Sequence, residues 1–160
     1  MVSMEVVEMA SKQFTSLSQL EAYLQTKINA TLLDEVSDAV RDEIESSISE
    51  IVFSAGDPVW YSRRSEGNGL NTGGLADKSQ MDATLVSNGV VSITDNAEPS
   101  LPWNNGRSLA ENIEYGYNEM SNWWDQPRPF ISNAKENLQQ TKSHVDSLRD
   151  GLIKRGLEVI

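Results

Sequence analysis

Cysteine is absent from the 160 residues. Disulfides and thiolate metal sites are therefore excluded, and the lack is consistent with a cytosolic origin. Histidine occurs once, at His144. A histidine-based metal cluster is ruled out, and an imidazole general base can exist only at that position. Positive charge is scarce: 13 Lys and Arg stand against 24 Asp and Glu, for a net charge of −11. A chain so acidic gains little from counterion release on nucleic acid. It also lacks the polybasic patch that would draw it to an anionic membrane. No stretch approaches the roughly 18–20 apolar residues of a membrane span. The segment from Met1 to Lys12 carries Glu5 and Glu8 before its first Lys and has no apolar run, so it does not read as a secretory signal. A soluble chain is expected.

What is present is patterned. Residues 1–15 form a polar lead-in, expected to be flexible unless a partner holds it. Ser18 with Glu21 fits a capping box, and Leu17, Leu20, Leu24 and Ile28 follow at helical spacing. Leu33, Val36, Val40, Ile44, Ile48 and Ile51 continue the apolar stripe without Gly or Pro. One long helix, or two abutting ones with a break near Asn29–Thr31, is predicted over about 17–53. The opposite face carries Asp34, Glu35, Asp38, Asp42, Glu43, Glu45 and Glu50, and residues 1–57 hold 11 acids against 3 bases. Such a stripe requires a partner surface.

Gly56-Asp57-Pro58 closes that region, and Val59-Trp60-Tyr61 reads as a short strand. Ser62 to Gly74 is a long glycine-rich loop. Met81 to Thr94 alternates apolar and polar residues around Asn88-Gly89, which predicts a β-hairpin with a type I′ turn. Asp95 to Ser108 is turn-rich, and Leu109 to Tyr117 is ambiguous between short helix and strand. Pro127-Arg128-Pro129 enforces extended backbone. After it, Ile131, Ala134, Leu138, Val145, Leu148 and Leu152 predict a helix over about 130–150 that frays at Gly151 and Gly156. Phe130 is expected to dock that helix on the sheet, with Pro129 in its first turn. The whole is read as one α+β domain over 1–160: a helical part at 16–53, sheet and loops at 54–126, and a C-terminal helix within 127–156. The long N-terminal helix and the C-terminal helix pack on a small antiparallel sheet.

Reactive constellations are missing from this pattern. His144 reads as a helix-surface residue. The acidic run from Asp34 to Glu50 places carboxylates one turn apart, as solvated faces of amphipathic helices do, and shows no EF-hand loop. The glycines at 67, 69, 73 and 74 do not lead into Gly-Lys-Ser/Thr, so no P-loop is formed. Trp103, Trp123, Trp124, Tyr115 and Tyr117 gather in the irregular region. In an acidic chain without catalytic groups they read as core or protein–protein anchors rather than a sugar platform. No catalytic, cofactor-binding or metal-binding residue is assigned.

From Val52 onward a succession of motifs resembles a known family. Val59-Trp60-Tyr61-Ser62-Arg63-Arg64, a glycine-rich spacer and Gly73-Gly74-Leu75-Ala76-Asp77 come first. Val91-Ser92-Ile93-Thr94-Asp95-Asn96-Ala97, Ile113-Glu114-Tyr115-Gly116, and Arg128-Pro129-Phe130 with Ala134 follow. In this order they resemble the head–tail connector, or tail-completion (minor capsid), family of lambdoid and related siphophages, in the branch infecting Gram-positive bacteria. The similarity covers residues 50–140; the stretch from Trp103 to Leu109 and the Trp123-Trp124 pair depart from the pattern.

The resemblance implies a non-enzymatic virion protein that joins head and tail as an oligomeric ring, hexameric or dodecameric. Its partners would be copies of itself and neighbouring neck and tail proteins, with DNA passing through unbound and no membrane involved. It would reside in the virion, and in the host cytoplasm before assembly. Candidate contacts between subunits are Arg63, Arg64, Gly73, Gly74, Leu75, Trp103, Trp123 and Trp124, with Arg128, Pro129 and Phe130 as a structural anchor. Arg63 and Arg64 are expected to reach the acidic helix of an adjacent copy. The alternative is a tail-associated carbohydrate-binding or wall-degrading protein, whose acids and tryptophans would have to meet in one groove; a dimerising regulatory module is a third possibility.

Overall fold

In the computed structural model, residues 14–55, 73–98, 107–116 and 126–159 are described. The expected strand at Val59–Tyr61, most of the glycine-rich loop, and Arg63, Arg64, Trp103, Tyr117, Trp123 and Trp124 lie outside them. The fold is α+β, as the patterning predicts: a long N-terminal helix, C-terminal helices and a small two-stranded antiparallel sheet.

The N-terminal stripe folds as one unbroken helical rod. It comprises α1 (Leu17–Thr31), a π-helical stretch (Leu32–Val36), α2 (Ser37–Ser47) and a second π-helical stretch (Ile48–Phe53). Of the two alternatives the single helix forms, without a break at Asn29–Thr31, since Thr31, Leu32, Val36 and Ser37 all keep right-handed helical backbone. Ile28 is followed by Leu32 and Leu33, four and five residues on, and the π-helical stretch begins at this pair; a π turn accommodates one extra residue. Ser37 Oγ donates to the Leu32 carbonyl five residues back at 2.7 Å, which fits the wider turn. The rod starts at Leu17, where the predicted range begins, with its cap two residues before Ser18. Ser16 is the N-cap, accepting the Gln19 amide at 3.3 Å, and Gln19 Oε1 accepts the Thr15 amide at 3.1 Å.

The C-terminal helix is two helices, α4 (Phe130–Thr141) and α5 (Ser143–Lys154), not one. The joint is Lys142, at φ 61° and ψ 17° the one non-glycine residue with positive φ among those described. Its amide caps Leu138 O at 3.0 Å, and its carbonyl accepts the Val145 and Asp146 amides at 2.8 and 3.1 Å. Between Leu138 and Val145 every residue is polar, so no apolar side chain at helical spacing holds a straight helix against the core there. Ile131 and Val145, assigned to the apolar stripe from spacing, are 40% and 48% exposed. The buried line runs instead through Phe130, Ala134 and Gly151, with Leu138, Leu148 and Leu152 half-buried. Nor does the helix fray at Gly151. It continues to Lys154 and closes at Gly156 (φ 80°), where the Gly156 and Leu157 amides cap Ile153 O and Leu152 O at 2.9 and 3.0 Å.

Both helices lie antiparallel to the rod. Asn133 Nδ2 reaches Ser47 Oγ at 3.4 Å and Asn137 Nδ2 reaches Glu43 Oε1 at 2.8 Å, while Arg155 meets Asp34 and Glu35 further back, at the rod's middle. The partner surface that the stripe requires is thus supplied by the same chain.

The hairpin of β1 (Met81–Ser87) and β2 (Val90–Asp95) runs back along the rod. At its base Arg41 Nε donates to Met81 O at 2.8 Å, and at its tip Asn29 Oδ1 accepts the Gly89 amide at 2.9 Å. From Asn29 to Arg41 an α-helix rises about 18 Å, and a seven-residue strand spans about 23 Å. The two lengths are compatible. Met81, Ala83, Leu85, Val91 and Ile93 turn inward, and Asp82, Thr84, Ser92 and Thr94 face solvent. Gly89 alone takes positive φ (77°), so the turn is not the mirror-image type expected, and a bulge lies between Leu85 and Ser87.

The ambiguous stretch after Ser108 is helical, α3 (Leu109–Tyr115), opened by a capping box of Ser108 and Glu111. The core brings together Ile44, Ile48 and Val52 of the rod, Leu75 and Ala76, Met81, Ile113, Phe130 and Ala134. Full burial of each large apolar side chain stabilises by about 1.5–3 kcal/mol. Phe130, fully buried, belongs to this core beside the rod residues and Ile113. It therefore anchors α4 mainly to other helices, with Met81 and the partly buried Ile93 the contribution of the hairpin.

Candidate functional site

Two of the motifs that carried the sequence resemblance close on each other. Ile113 offers its carbonyl to the Arg128 amide at 2.8 Å, and the Phe130 amide turns back to Arg128 O at 2.8 Å. The adjoining Glu114 is buried, 6% exposed, and its carboxylate sits at the start of α4. It accepts the Ile131 amide at 2.8 Å, the Ser132 amide at 3.1 Å and the Ser132 hydroxyl at 2.6 Å. An exposed start to α4 would leave those amides without intrahelical acceptors. A carboxylate there also complements the positive end of the helix dipole. Pro129, at φ −76° and ψ 65°, is the residue before the first helical one rather than part of the first turn. Gly116, buried with φ 78°, ends α3 immediately behind this cap. Sequence reasoning named Glu114 within a motif and gave it no role; its target lies 17 residues further on, beyond local spacing signals.

The Gly73–Asp77 motif forms a second closed unit. Asp77 accepts the Gly73 amide at 2.7 Å, and the Ser79 amide and hydroxyl at 2.9 and 2.7 Å. The Gly73 amide is the main cause holding the Asp77 carboxyl below its ordinary range, followed by the Ser79 hydroxyl and amide. Gly73 adopts φ 82°. Leu75, expected at a contact between subunits, is 6% exposed and occupied in the chain's own core, and Gly74 is buried too. The following motif ends at Asp95, whose Oδ1 accepts the Ala97 amide at 2.9 Å while Oδ2 is buried without a hydrogen-bond partner among the described residues. Burial pushes the Asp95 carboxyl up to about 6; the Ala97 amide opposes this and the charge of Asp77 adds to it.

The acidic face of the rod is not simply solvated. Arg155 bridges Asp34 and Glu35, each at 2.5 Å, and also donates to Gly151 O at 3.1 Å. Lys78 bridges Asp42 and Glu45 at 2.6 and 2.8 Å, and Arg41 pairs with Asp38 at 2.9 Å. The chain's own cations thus occupy much of the face assigned to the arginines of a neighbour. His144 is half-buried rather than on the surface, and its Nδ1 is buried without a partner among the described residues. Among the described residues no three His, Asp or Glu side chains are grouped to hold a metal ion, and no helix is long and apolar enough to cross a membrane.

These closed units are framework chemistry. Each carboxylate that a motif contributes is directed at backbone amides of the same chain: Asp77 and Asp95 close local turns, and Glu114 fixes the placement of an element distant in sequence. Arg128 and Phe130 act in that framework, whereas the aromatic and arginine contacts expected at subunit boundaries fall outside the described residues. A family model described as YomN matches residues 16–154 of the chain. No curated protein and no solved structure matches it significantly.

Proposed function

The chain belongs to the phage-associated YomN family, and on that premise we propose that it is a structural protein of the virion, forming a ring at the junction of head and tail. The observation that carries this reading is the interlock of Ile113-Glu114 with Arg128-Pro129-Phe130. The motifs that resemble those of head–tail connectors serve here to hold the chain's shape, as a protein that acts by fitting together requires. No bond is made or broken in this role, and no cofactor enters it.

Copies of the chain meet head to tail, one patch against a different patch on the next, and rotation closes the ring. Arg63, Arg64 and the tryptophans at 103, 123 and 124 are the proposed contact residues. With Arg41, Lys78 and Arg155 already neutralising much of the rod, arginines from a neighbour would be left mainly with acids such as Glu50. Neck and tail proteins are the other partners. The net charge of −11 would repel phosphates and let DNA pass without adhering.

Native mass spectrometry and electron microscopy of the purified protein, with particles made from a deletion strain, test the proposal. Six- or twelvefold rings, and deletion particles with unjoined heads and tails, are expected. Intact infectious particles lacking the protein would overturn the reading. A monomer with sugar affinity or hydrolytic activity would favour the wall-directed alternative.

A further inference from the structure

Asp95 closes β2 opposite Met81, at the end of the hairpin that adjoins the Gly73–Gln80 segment. Its Oδ1 is bonded to the Ala97 amide, but its Oδ2 is sealed from solvent with no donor among the described residues. The charged groups around it are committed elsewhere. From the preceding turn, Asp77 has both oxygens filled by Gly73 and Ser79. From the rod, Arg41 gives its Nε to Met81 O and its Nη1 to Asp38. Lys78 is held by Asp42 and Glu45, and Asp82 on β1 by Asn96 Nδ2 at 2.9 Å. An ionised Asp95 therefore places a second negative charge near that of Asp77 with one oxygen neither solvated nor bonded, an arrangement that costs free energy unless a proton is present or water enters.

We propose that Asp95 is a proton-operated latch that fastens the Gly73–Gln80 segment to the end of the hairpin. With a proton from solvent on Oδ2 the carboxyl is neutral and the segment lies closed, keeping Leu75 and Ala76 in the core. Loss of that proton to solvent favours opening of the segment, which hydrates Oδ2 and uncovers Leu75 and Ala76. Two carboxylates with opposed environments divide the work. Asp77 stays ionised because amides and a hydroxyl stabilise its charge, and Asp95 takes the proton. The inference goes beyond the assembly reading and stands whether or not the chain forms rings.

Amide exchange followed at pH 5 and 7.5, corrected for the intrinsic pH dependence of exchange, tests it on the full chain and on Asp95→Asn. In the wild type, protection of residues 73–80 and 95–97 should fall about tenfold between pH 5 and 7.5, the change expected for a carboxyl moved from 3.8 to about 6. The Asn variant should show no such fall, while residues 83–92 behave alike in both. Equal pH dependence in the two proteins would overturn the latch. A carbon-detected titration of the wild-type Asp95 carboxyl is a second reading independent of the variant's folding: a midpoint near 6 supports the proposal, and one near 4 refutes it.

Discussion

Gly151 of α5 lies so close to Thr31 of the rod that a Cβ at position 151 would stand 2.4 Å from Thr31 Cγ2 and 2.9 Å from Glu35 Oε2. Thr31 itself is fully buried, its hydroxyl donating to Lys27 O at 2.9 Å. The two helices approach through a glycine on one side and a small β-branched residue on the other. Arg155, one turn beyond Gly151, then reaches across to Asp34 and Glu35.

Gly151→Ala should therefore destabilise the protein by about 1–3 kcal/mol through overpacking. An open helical site would give the opposite sign, because Ala is favoured over Gly in a helix by about 1 kcal/mol. Urea denaturation decides between them. Adding Thr31→Ser to the Ala variant should recover part of the loss.

Glu114→Ala removes one carboxylate from three donors at the start of α4. A loss of about 2–3 kcal/mol is expected, since hydrogen bonds to a charged acceptor exceed neutral ones and three donors at the helix start lose their partner. Glu114→Gln keeps an acceptor and should lose less than the Ala variant. Equal stability of both variants and the wild type would show that the cap contributes nothing.

Phe130→Ala removes a fully buried aromatic ring from the core. The expected cost is about 3–5 kcal/mol. A change below about 1 kcal/mol would mean that the site collapses around the smaller side chain with little penalty.

Asp77 gives stability a pH dependence whose sign differs from that of Asp95. Its folded carboxyl lies below the ordinary value of 3.8 because Gly73 and Ser79 donate to the charged form. Its contribution is fully present above the unfolded value and is lost as pH falls through the folded one. Acid unfolding of Asp77→Asn, compared with wild type between pH 5 and 2, should show a shallower decline. Asp95, raised to about 6, contributes in the reverse sense: stability from this group falls as pH rises from 3.8 towards 6. Asp95→Asn should accordingly gain stability relative to wild type at pH 7.5.

The elements legible in the sequence were those whose cause is local. Apolar residues at helical spacing marked the rod, and strict alternation around Asn88-Gly89 marked the hairpin with its inward face. The capping box Ser108–Glu111 was equally local and would have resolved the ambiguity over α3. The π turn at Leu32–Val36 left no such mark, and the pattern read equally as one helix or as two with a break near Asn29–Thr31. At Ile131 and Val145 spacing misled, because both are apolar at nearly the right phase and only the packed structure shows which side of each helix is covered. The candidate site was readable as a set of motifs, but the part each plays was not.

Composition and periodicity alone determined that this chain has no disulfide, carries an acidic N-terminal third, and builds α+β elements from two helical stripes and a hairpin. Tertiary structure decided the rest: that Glu114 caps a helix far along the chain, that Leu75 turns inward, and that Arg155 and Lys78 cover the acidic rod. Secondary structure follows from interactions within a few residues of each other. Capping, burial and ion pairing between distant residues depend on which surfaces the folded chain brings together, and no local pattern specifies that meeting.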